Sequence, residues 1–496
     1  MTPRTVLIGS TGFGFLGVVL VVWGASVPGS SFTSKLAGSW VFGVPRSSLG
    51  ARSSEWYGLV LFYSGTIVLL TAWCLLVTVC SRRPGTRVRP FYWVAALWVV
   101  PLLIAPPLLS RDVYTYGAEG QLVSRGGNPY RQGLLSLRGT RFFDLSDPRW
   151  HSTHAPYGPI FFDLARLNTA LWGNRVLANI EGYRLMAVLG IAIIALSAPT
   201  LARSLGRDAS TALVLAVLNP VVLLYLVGGA HNDALMLGLL VAGITLALSG
   251  RPLIGIALCA LGASIKVPAA LGFIYVGWIW AGADPSAPRK LKFVAGSLGV
   301  GAACLAVVTA LSGLGWGWIV NLSDPGEVTS WLDPASAVGL SAFHLSRLFG
   351  ATVGAPTLVS DSRAGALLIA AVVVVALLVN TDRLGIARSI GWSLLAVVLL
   401  GPILWPWYET WGLVFLAFAV DRWSSRVVIV VVTLGTFATF PSGLSLTTAA
   451  VILTTAILLV VAGAALTVLT HVRRRLARQP VPPSAAGRLT GSMSVP

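Results

Sequence analysis

Long runs of apolar residues dominate this sequence and restrict its possible folds more strongly than any other feature. A helix needs about 20 mostly apolar residues to cross a lipid bilayer. Fourteen candidate segments of this kind occur, although several are short and residues 252–283 are compatible either with two helices or with one broken helix. The segments lie at residues 6–27, 57–80, 91–109, 183–201, 211–228, 234–250, 252–265, 267–283, 293–311, 364–380, 389–404, 409–420, 427–440 and 445–470.

The composition agrees with this pattern. Hydrophobic residues make up 55% of the chain and charged residues only 10%, which excludes a water-soluble globular protein. We therefore predict an all-α integral membrane protein with about 14 transmembrane helices. One membrane domain is expected from residue 1 to 478, followed by a disordered cytoplasmic tail at residues 479–496, which is rich in Pro, Ser, Ala and Gly.

The excess of positive charge indicates how the chain is oriented in the membrane. The 35 Lys and Arg residues outnumber the 17 Asp and Glu residues, for a net charge of +18. If the N-terminus is cytoplasmic, alternation of the fourteen segments assigns 20 basic and 4 acidic residues to the inside, and 15 basic and 13 acidic residues to the outside. Basic residues are favoured in cytoplasmic loops. The net charges of +16 inside and +2 outside therefore predict cytoplasmic N- and C-termini in the plasma membrane, and they account for the excess without nucleic-acid binding.

Two predicted outer connections, residues 110–182 and residues 312–363, are long enough to carry function. The first begins with Ser110, a good helix N-cap, and Asp112, a carboxylate suited to the first turn. These signals predict a short amphipathic helix on the membrane surface, ending near Gly126 or Gly127, with Asp112, Tyr116 and Glu119 on one face. Asp112 is either a general base or a structural residue. In the structural case it interacts with the helix dipole in the first turn or forms a salt bridge to Arg111 or Arg125.

Further polar clusters fall at outer helix ends under the same topology. They are Trp150-His-Ser-Thr-His-Ala-Pro-Tyr-Gly-Pro159, Gly228-Gly-Ala-His-Asn-Asp233, Lys266-Val-Pro268 and Trp405-Pro-Trp-Tyr-Glu409. The apolar run 160–172 is too short to span and suits an interfacial or re-entrant helix. Lys266 either binds a phosphate or extends to the lipid headgroups. The aromatic residues either stack on a sugar or belong to the interfacial aromatic belt.

Two other observations limit the chemistry. His151 and His154 are three residues apart, but no carboxylate or cysteine completes a metal-ligand set, and the four cysteines lie in apolar segments without metal-ligand spacing. No metal is therefore expected. The second long connection carries an aromatic and acidic set that could hold a carbohydrate acceptor or rest on the headgroups, namely Trp316, Trp318, Asp324, Glu327, Trp331 and Asp333.

Six motifs, in order from about residue 90 to 420, together resemble one known family. They are Ser110-Arg-Asp-Val-Tyr-Thr-Tyr116 with Gly127-Asn-Pro-Tyr130, His154-Ala-Pro-Tyr-Gly-Pro159, Leu218-Asn-Pro220, Gly228-Gly-Ala-His-Asn-Asp-Ala-Leu-Met236, Ile265-Lys-Val-Pro268 and Trp405-Pro-Trp-Tyr408. The set is similar to the actinobacterial polyprenyl-phosphomannose-dependent α-1,6-mannosyltransferases of the MptA/MptB type.

This resemblance implies a GT-C glycosyltransferase fold with its active site on the extracytoplasmic face. It implies inverting transfer of mannose from polyprenyl-phosphate-mannose to a mannan or lipomannan acceptor, which extends the α-1,6 backbone of lipomannan and lipoarabinomannan. Membrane lipids surround the protein, and neither a cofactor nor a metal is expected. By motif position, Asp112 is the catalytic base.

The other site residues expected from the motifs fall into two groups. Donor phosphate or sugar is assigned to Lys266 first, and then to His231, Asp233, Arg125 and Tyr157; Asp233 either fixes the tautomer of His231 or contacts sugar hydroxyls. Acceptor binding or lining of the site is assigned to Tyr116, Glu119, Tyr130, His154, Asn232, Trp405, Trp407 and Tyr408.

Three alternative functions stay open at this point. A GT-C transferase of another lipid-linked sugar, such as arabinofuranose, would carry the same motifs. A flippase or transporter of lipid-linked sugars would use the outer clusters as a gate, although the sequence has neither an internal repeat nor charged residues in the middle of a span. A scaffold subunit with a degenerate site is disfavoured because the acidic and basic residues are intact.

Overall fold

The computed structural model describes residues 3–27, 51–282, 286–322, 328–329, 333–350 and 352–437. The fourteenth apolar segment at 445–470, the tail at 479–496, and Asp324, Glu327 and Trp331 lie outside these described residues.

Within the described residues every regular element is helical, as predicted. The α-helices are α1 (Pro3–Ser26), α2 (Ala51–Arg82), α3 (Arg89–Leu103), α4 (Asp112–Ser124), α5 (Arg141–Leu145), α6 (Pro159–Trp172), α7 (Val176–Ser204), α8 (Ala209–Val217), α9 (Asp233–Leu248), α10 (Pro252–Ala263), α11 (Leu271–Trp280), α12 (Ala287–Ser312), α13 (Gly317–Val320), α14 (Pro334–Leu348), α15 (Ala355–Val379), α16 (Thr381–Leu384), α17 (Ile386–Leu400), α18 (Glu409–Ala419) and α19 (Arg422–Thr436). Four 3₁₀ turns, at Leu134–Leu137, Pro148–Trp150, Val267–Ala270 and Pro406–Tyr408, and one π-helical segment, Val222–Gly228, connect them.

Five described helices are long and apolar enough to cross a membrane: α1, α2, α7, α12 and α15. A sixth span results if α8 and the π-helical segment, which are bent by 56° relative to each other, are counted as one. The other predicted segments among the described residues form shorter apolar helices. These features support a membrane protein, whereas the count of fourteen spans and the GT-C fold stay predictions.

Residues 252–283 form two helices rather than one broken rod. Gly262 contacts Ala269 and Cys259 contacts Gly272, so α10 and α11 pack antiparallel on either side of the turn that contains Lys266. Small residues at these positions allow the helix backbones to approach closely. The turn thus carries Lys266 at the tip of a helical hairpin.

Some contacts join connections that the alternation predicts to lie on the same side of the membrane. Among the predicted cytoplasmic connections, the Gly85 amide donates to Asp208 Oδ2 at 2.7 Å, and Arg388 pairs with Asp421 at 3.0 Å. The clusters predicted to lie outside meet one another at a separate location, where Asp112 approaches His231 at 3.5 Å.

The prediction that α4 lies on the membrane surface is wrong. Every residue from Val113 to Val123 is buried, because α5, α6 and α7 pack around the helix. Gly117 lets the ring of Phe142 approach α4, and Gly120 makes room for Thr169. The helix is therefore an internal element of the protein.

One charged residue, Arg184, is buried at the start of the predicted span 183–201. Arg184 of α7 is fully buried, and its Nη1 donates to Glu181 Oε1 at 2.6 Å and to the Leu103 carbonyl at 3.1 Å. Its Nη2 donates to the Gly228 carbonyl at 3.3 Å. The guanidinium thereby ties the end of α3 to the turn that precedes His231.

Candidate active site

A cavity of about 580 Å³ lies where α4, the tip of the α10–α11 hairpin and the Pro406–Tyr408 turn meet. Its walls differ in chemistry. Charged, hydroxyl and aromatic side chains line one part, whereas the other part is formed by apolar residues of three helices, namely Leu271 and Ile274 of α11, Leu367 of α15 and Val397 and Val398 of α17. The cavity can therefore hold a molecule with one polar and one apolar end.

Asp112 occupies the first turn of α4 and lines the polar part of the cavity. The prediction of Ser110 as the N-cap is wrong, because Arg111 occupies that position and makes no side-chain cap hydrogen bond. Ser110 Oγ instead accepts a hydrogen bond from the Asp112 amide at 3.1 Å. The side chain of Asp112 is 19% exposed. Burial raises the pKa of its carboxyl group to about 6, and the nearby charge of Lys266 opposes part of that increase. A carboxylate with such a pKa suits proton abstraction near neutral pH.

His231 stands directly behind Asp112. Its Nδ1 lies 3.5 Å from Asp112 Oδ2, longer than a good hydrogen bond, and its ring is fully buried. The ring stacks on Trp407 with centroids 4.1 Å apart, and Trp407 stacks in turn on Trp405 at 5.3 Å. Burial lowers the pKa of His231 well below its ordinary value, so the ring is neutral. The stack fixes the orientation of the imidazole beside the carboxylate.

Lys266 forms an ion pair with Asp233, the first residue of α9. Its Nζ lies 2.9 Å from both carboxylate oxygens of Asp233, which is fully buried. Trp411 of α18 donates its indole N–H to Asp233 Oδ1 at 2.6 Å. Because the oxygens of Asp233 contact these two groups, the carboxylate does not fix His231 as one of the predictions assumed. Lys266 points into the protein rather than toward lipid headgroups.

Aromatic rings surround the ammonium group of Lys266. Nζ lies 4.3 Å from the ring centroid of Tyr408, 5.4 Å from Trp411 and 5.8 Å from Tyr157. Tyr408 and Trp411 stack on each other at 4.4 Å. Cation–π attraction of this kind holds an ammonium in place when solvent is largely excluded.

The predicted site residues fall into three groups by position. Those that line the cavity are Asp112, Glu119, His154, Tyr157, Lys266, Trp405 and Tyr408. Those that lie buried behind its wall are Tyr116, Tyr130, His231, Asn232, Asp233 and Trp407. Arg125 is separate from both groups, since it is exposed at the C-terminal end of α4.

Two further residues of the candidate site were not predicted from the sequence. Thr115 lines the cavity between Asp112 and Glu119, and Trp411 both lines it and binds Asp233. The spacing held a signal for each of them. Thr115 is three residues from Asp112, and Trp411 is four residues from Trp407 at the start of a helix, so each pair shares a face.

The second long connection supports the site from behind. Asp333, just before α14, is 1% exposed, and its Oδ1 accepts a hydrogen bond from the Leu404 amide at 2.6 Å. This bond attaches the connection to the segment that leads into Trp405. Asp333 is thus a structural anchor rather than an acceptor-binding group, whereas Trp316 is half exposed and Trp318 is buried.

Comparisons with known proteins agree on one family. A family model described as "Alpha-(1->6)-mannopyranosyltransferase, N-terminal domain" matches residues 11–282, and one described as "MptB C-terminal domain" matches residues 335–469. The chain is 32% identical over 455 residues to a probable α-(1→6)-mannopyranosyltransferase of Mycolicibacterium smegmatis, covering 84% of this chain and 78% of the relative.

Two further relatives carry similar names. The chain is 33% identical over 423 residues to α-(1→6)-mannopyranosyltransferase A of Mycobacterium tuberculosis, covering 82% of this chain and 79% of the relative. It is 27% identical over 487 residues to α-(1→6)-mannopyranosyltransferase B of Corynebacterium glutamicum, covering 90% and 76% respectively. No solved structure matches the chain.

Proposed function

The chain belongs to the α-(1→6)-mannopyranosyltransferase family, and from this membership we propose a specific reaction for it. The proposed enzyme moves mannose from polyprenyl-phosphate-mannose to an α-1,6-mannan acceptor, with inversion at the anomeric carbon. The acceptor is the growing backbone of lipomannan or lipoarabinomannan, and the reaction takes place on the extracytoplasmic face of the plasma membrane.

One observation carries the proposal. A single cavity joins a carboxylate with a raised pKa, Asp112, an ammonium group, Lys266, and an apolar wall formed by three helices. A lipid-linked sugar phosphate has three matching parts: a reacting sugar, an anionic phosphate and an apolar chain. A water-soluble nucleotide sugar would make no use of the apolar wall.

The apolar wall suits the polyprenyl chain because three helices contribute apolar side chains to it. Leu367 of α15, a helix long and apolar enough to cross a membrane, lines the cavity and is 46% exposed. The wall beside it consists of Leu271 and Ile274 of α11. A lipid chain can therefore lie along α11 and α15 with its phosphate directed toward Lys266.

Lys266 is prepared for a phosphate by its partners. Two of the three ammonium protons face the oxygens of Asp233. The third proton is left for a ligand in the cavity, to which the 11% exposed side chain has access. Asp233 supplies the opposite charge next to this largely buried side chain. A fixed cation at the position where phosphate gains charge stabilises the transition state without further reorganisation.

The chemical step then requires a single displacement. The Asp112 carboxylate accepts the proton of the acceptor 6-hydroxyl, and the resulting oxygen attacks the anomeric carbon of the donor mannose. The bond from that carbon to the phosphate oxygen breaks, and polyprenyl phosphate leaves with the electron pair. A β-linked donor gives an α-linked product. The neutral ring of His231 limits movement of Asp112 and adds no competing positive charge.

Two further parts of the proposal concern metal and membrane orientation. We expect turnover without an added metal ion, because the departing phosphate is already anionic and Lys266 faces it. The described residues contain no group of three or more His, Cys, Asp or Glu side chains that could hold a metal. The predicted topology gives a net charge of +16 to the cytoplasmic side and +2 to the outer side, which favours cytoplasmic termini and an outer active site.

A reconstituted assay tests this proposal. The purified full-length chain in detergent receives polyprenyl-phosphate-mannose and a short α-1,6-linked mannoside, and mass spectrometry reads the product. We expect products that are longer by one mannose, whereas a lipid-linked arabinofuranose donor in a parallel reaction gives none. Product formation in detergent, where no two compartments exist, also excludes a pure transporter. Transfer of arabinose but not mannose would contradict the proposed donor.

A further inference from the structure

Three polar side chains form a row along one face of α4 inside the cavity. Asp112, Thr115 and Glu119 are separated by three and four residues, so they lie on the same side of the helix, and all three line the cavity. At a rise of about 1.5 Å per residue, the row extends about 10 Å along the helix axis. Asp112 has a role in proton transfer, whereas that step makes no use of Thr115 or Glu119.

The two remaining members of the row are buried, and each has a polar atom without a hydrogen-bond partner in the described part of the chain. Thr115 and Glu119 are each 5% exposed, and neither Thr115 Oγ1 nor Glu119 Oε2 has a hydrogen-bond partner among the described residues. Buried polar atoms in folded proteins are normally paired. Two such atoms, one helical turn apart and facing the same cavity, indicate that a ligand supplies the missing hydrogen bonds.

The chemistry of these atoms favours hydroxyl groups as their partners. Burial raises the pKa of Glu119 well above its ordinary value, and the negative charge of Asp112 raises it further. A protonated carboxyl group both donates and accepts hydrogen bonds, and a threonine hydroxyl does the same. A sugar offers neighbouring hydroxyl groups with the same double capacity. A phosphate would accept hydrogen bonds but would gain no ion pair from this row.

The position of the row distinguishes the acceptor sugar from the donor. Lys266 pairs with Asp233, two residues after His231, whose Nδ1 lies 3.5 Å from Asp112 Oδ2, so the donor phosphate lies toward the Asp112 end of the helix. Thr115 and Glu119 follow Asp112 along α4, which begins at Asp112. The acceptor must bring one hydroxyl group to Asp112, and the rest of its ring then extends along the helix.

We propose that Thr115 and Glu119 form the binding subsite for the acceptor hexose and hydrogen-bond its hydroxyl groups while Asp112 faces the hydroxyl that reacts. This subsite rests on the proposed function. In this subsite Thr115 and Glu119 determine specificity by recognising the acceptor sugar, and they do not take part in proton transfer.

Direct binding and steady-state kinetics together test the subsite. The probe is a short α-1,6-linked mannoside, and the protein is the full chain in detergent. We expect Thr115→Val and Glu119→Leu each to weaken mannoside binding, and to raise the acceptor KM, by about tenfold. Glu119→Gln should stay close to wild type, because an amide also donates and accepts. The donor KM should not change in any of these variants.

Thr169→Val is the matched control. Thr169 of α6 also has a buried Oγ1 without a partner among the described residues, and it packs against Gly120 of the same helix α4, but it does not line the cavity. Its loss should leave mannoside binding unchanged. If this variant lost binding equally, disturbed packing would explain the effect of Thr115→Val, and the proposal would be overturned.

Other outcomes separate the subsite from the proposed function. If the wild-type chain transfers mannose, but Thr115→Val and Glu119→Leu bind the mannoside like wild type, the subsite is wrong and the function stands. A rise confined to the donor KM would assign the row to the donor mannose and also overturn the subsite. If the wild-type chain binds the mannoside through these residues but transfers no mannose, the subsite stands and the proposed function is wrong.

Discussion

Lys266 and Asp233 are 33 positions apart in the chain, and yet the Lys266 ammonium lies 2.9 Å from both oxygens of the Asp233 carboxylate. The pair joins the tip of the α10–α11 hairpin to the first turn of α9. Because Trp411 also donates to Asp233, a third helix, α18, is attached to the same carboxylate. The group that faces the proposed donor phosphate is therefore held by a connection between three helices.

Breaking this pair should destabilise the protein strongly. In Asp233→Asn the buried ammonium loses its compensating charge, and the loss of a partner from a buried pair typically costs about 3 to 5 kcal/mol in the free energy of unfolding. We expect a lower thermal midpoint in detergent. The double variant Asp233→Asn/Lys266→Met, which removes both charges, should recover much of that loss without recovering mannose transfer. No recovery of the midpoint would contradict the ion-pair explanation.

Asp112→Asn should remove the base while keeping the shape of the side chain. We expect kcat for mannose transfer to fall by at least about two decades, the usual scale for a general base. The matched control is Asp163→Asn on α6, where the carboxylate pairs with Arg166 at 3.2 Å and does not line the cavity. That variant should keep its activity. Turnover of Asp112→Asn at the wild-type rate would remove Asp112 from the mechanism.

The rate should depend on pH through the Asp112 carboxyl group. Burial is the main reason why its pKa is raised to about 6; Asp233 and Asp147 add to the increase, Lys266 opposes it, and His231 is neutral. Only the ionised form accepts a proton, so kcat should be constant above about pH 7 and fall about tenfold per unit below about pH 6. A profile that stays flat down to about pH 5 would indicate an unperturbed carboxylate.

Trp411→Phe should separate the hydrogen bond of the indole from its stacking. Phenylalanine can still stack on Tyr408, but it cannot donate to Asp233 Oδ1. We expect the thermal midpoint to fall by the equivalent of about 1 to 3 kcal/mol. The donor KM should rise as well, because Lys266 is less firmly positioned. If the donor KM is unchanged while the midpoint falls, Trp411 contributes to stability alone.

Chelation tests the expectation that no metal takes part. Mannose transfer measured in excess EDTA should equal transfer in untreated protein, because the proposed step relies on Lys266 and Asp112 alone. Loss of activity in EDTA that returns with added Mg²⁺ or Mn²⁺ would contradict this expectation. A parallel measurement of the thermal midpoint distinguishes a catalytic ion from one that only stabilises the fold.

The residues that resemble the family were visible in the sequence, and so were most helices, because both are local patterns. The start of α4 could be predicted to within one residue, because Asp112 is indeed in the first turn, although Arg111 and not Ser110 is the N-cap. Its burial could not be predicted. The polar residues of α4 suggested a surface position, and only the packing of Phe142 and Thr169 against its glycines makes it internal.

Long-range pairings escaped prediction for the same reason. No periodic pattern connects Lys266 to Asp233, Asp333 to Leu404, or Arg184 to Gly228, because each contact depends on how distant segments meet. Trp411 was missed although its spacing from Trp407 held a usable signal. The roles assigned to Asp112 and to the other site residues stay predictions that the experiments above decide.

Leu367 lines the cavity from α15, a helix long and apolar enough to cross a membrane, so we expect the proposed lipid-linked donor to reach the site from the membrane and not from water. A donor that enters between helices diffuses in two dimensions, so its effective concentration is its mole fraction in the bilayer or micelle. Diluting the donor with inert detergent, at constant volume and total amount, should therefore slow the reaction. A short, water-soluble α-1,6-linked mannoside used as acceptor should show no such surface dilution, and the two substrates of the assay would thus obey different concentration scales within one active site.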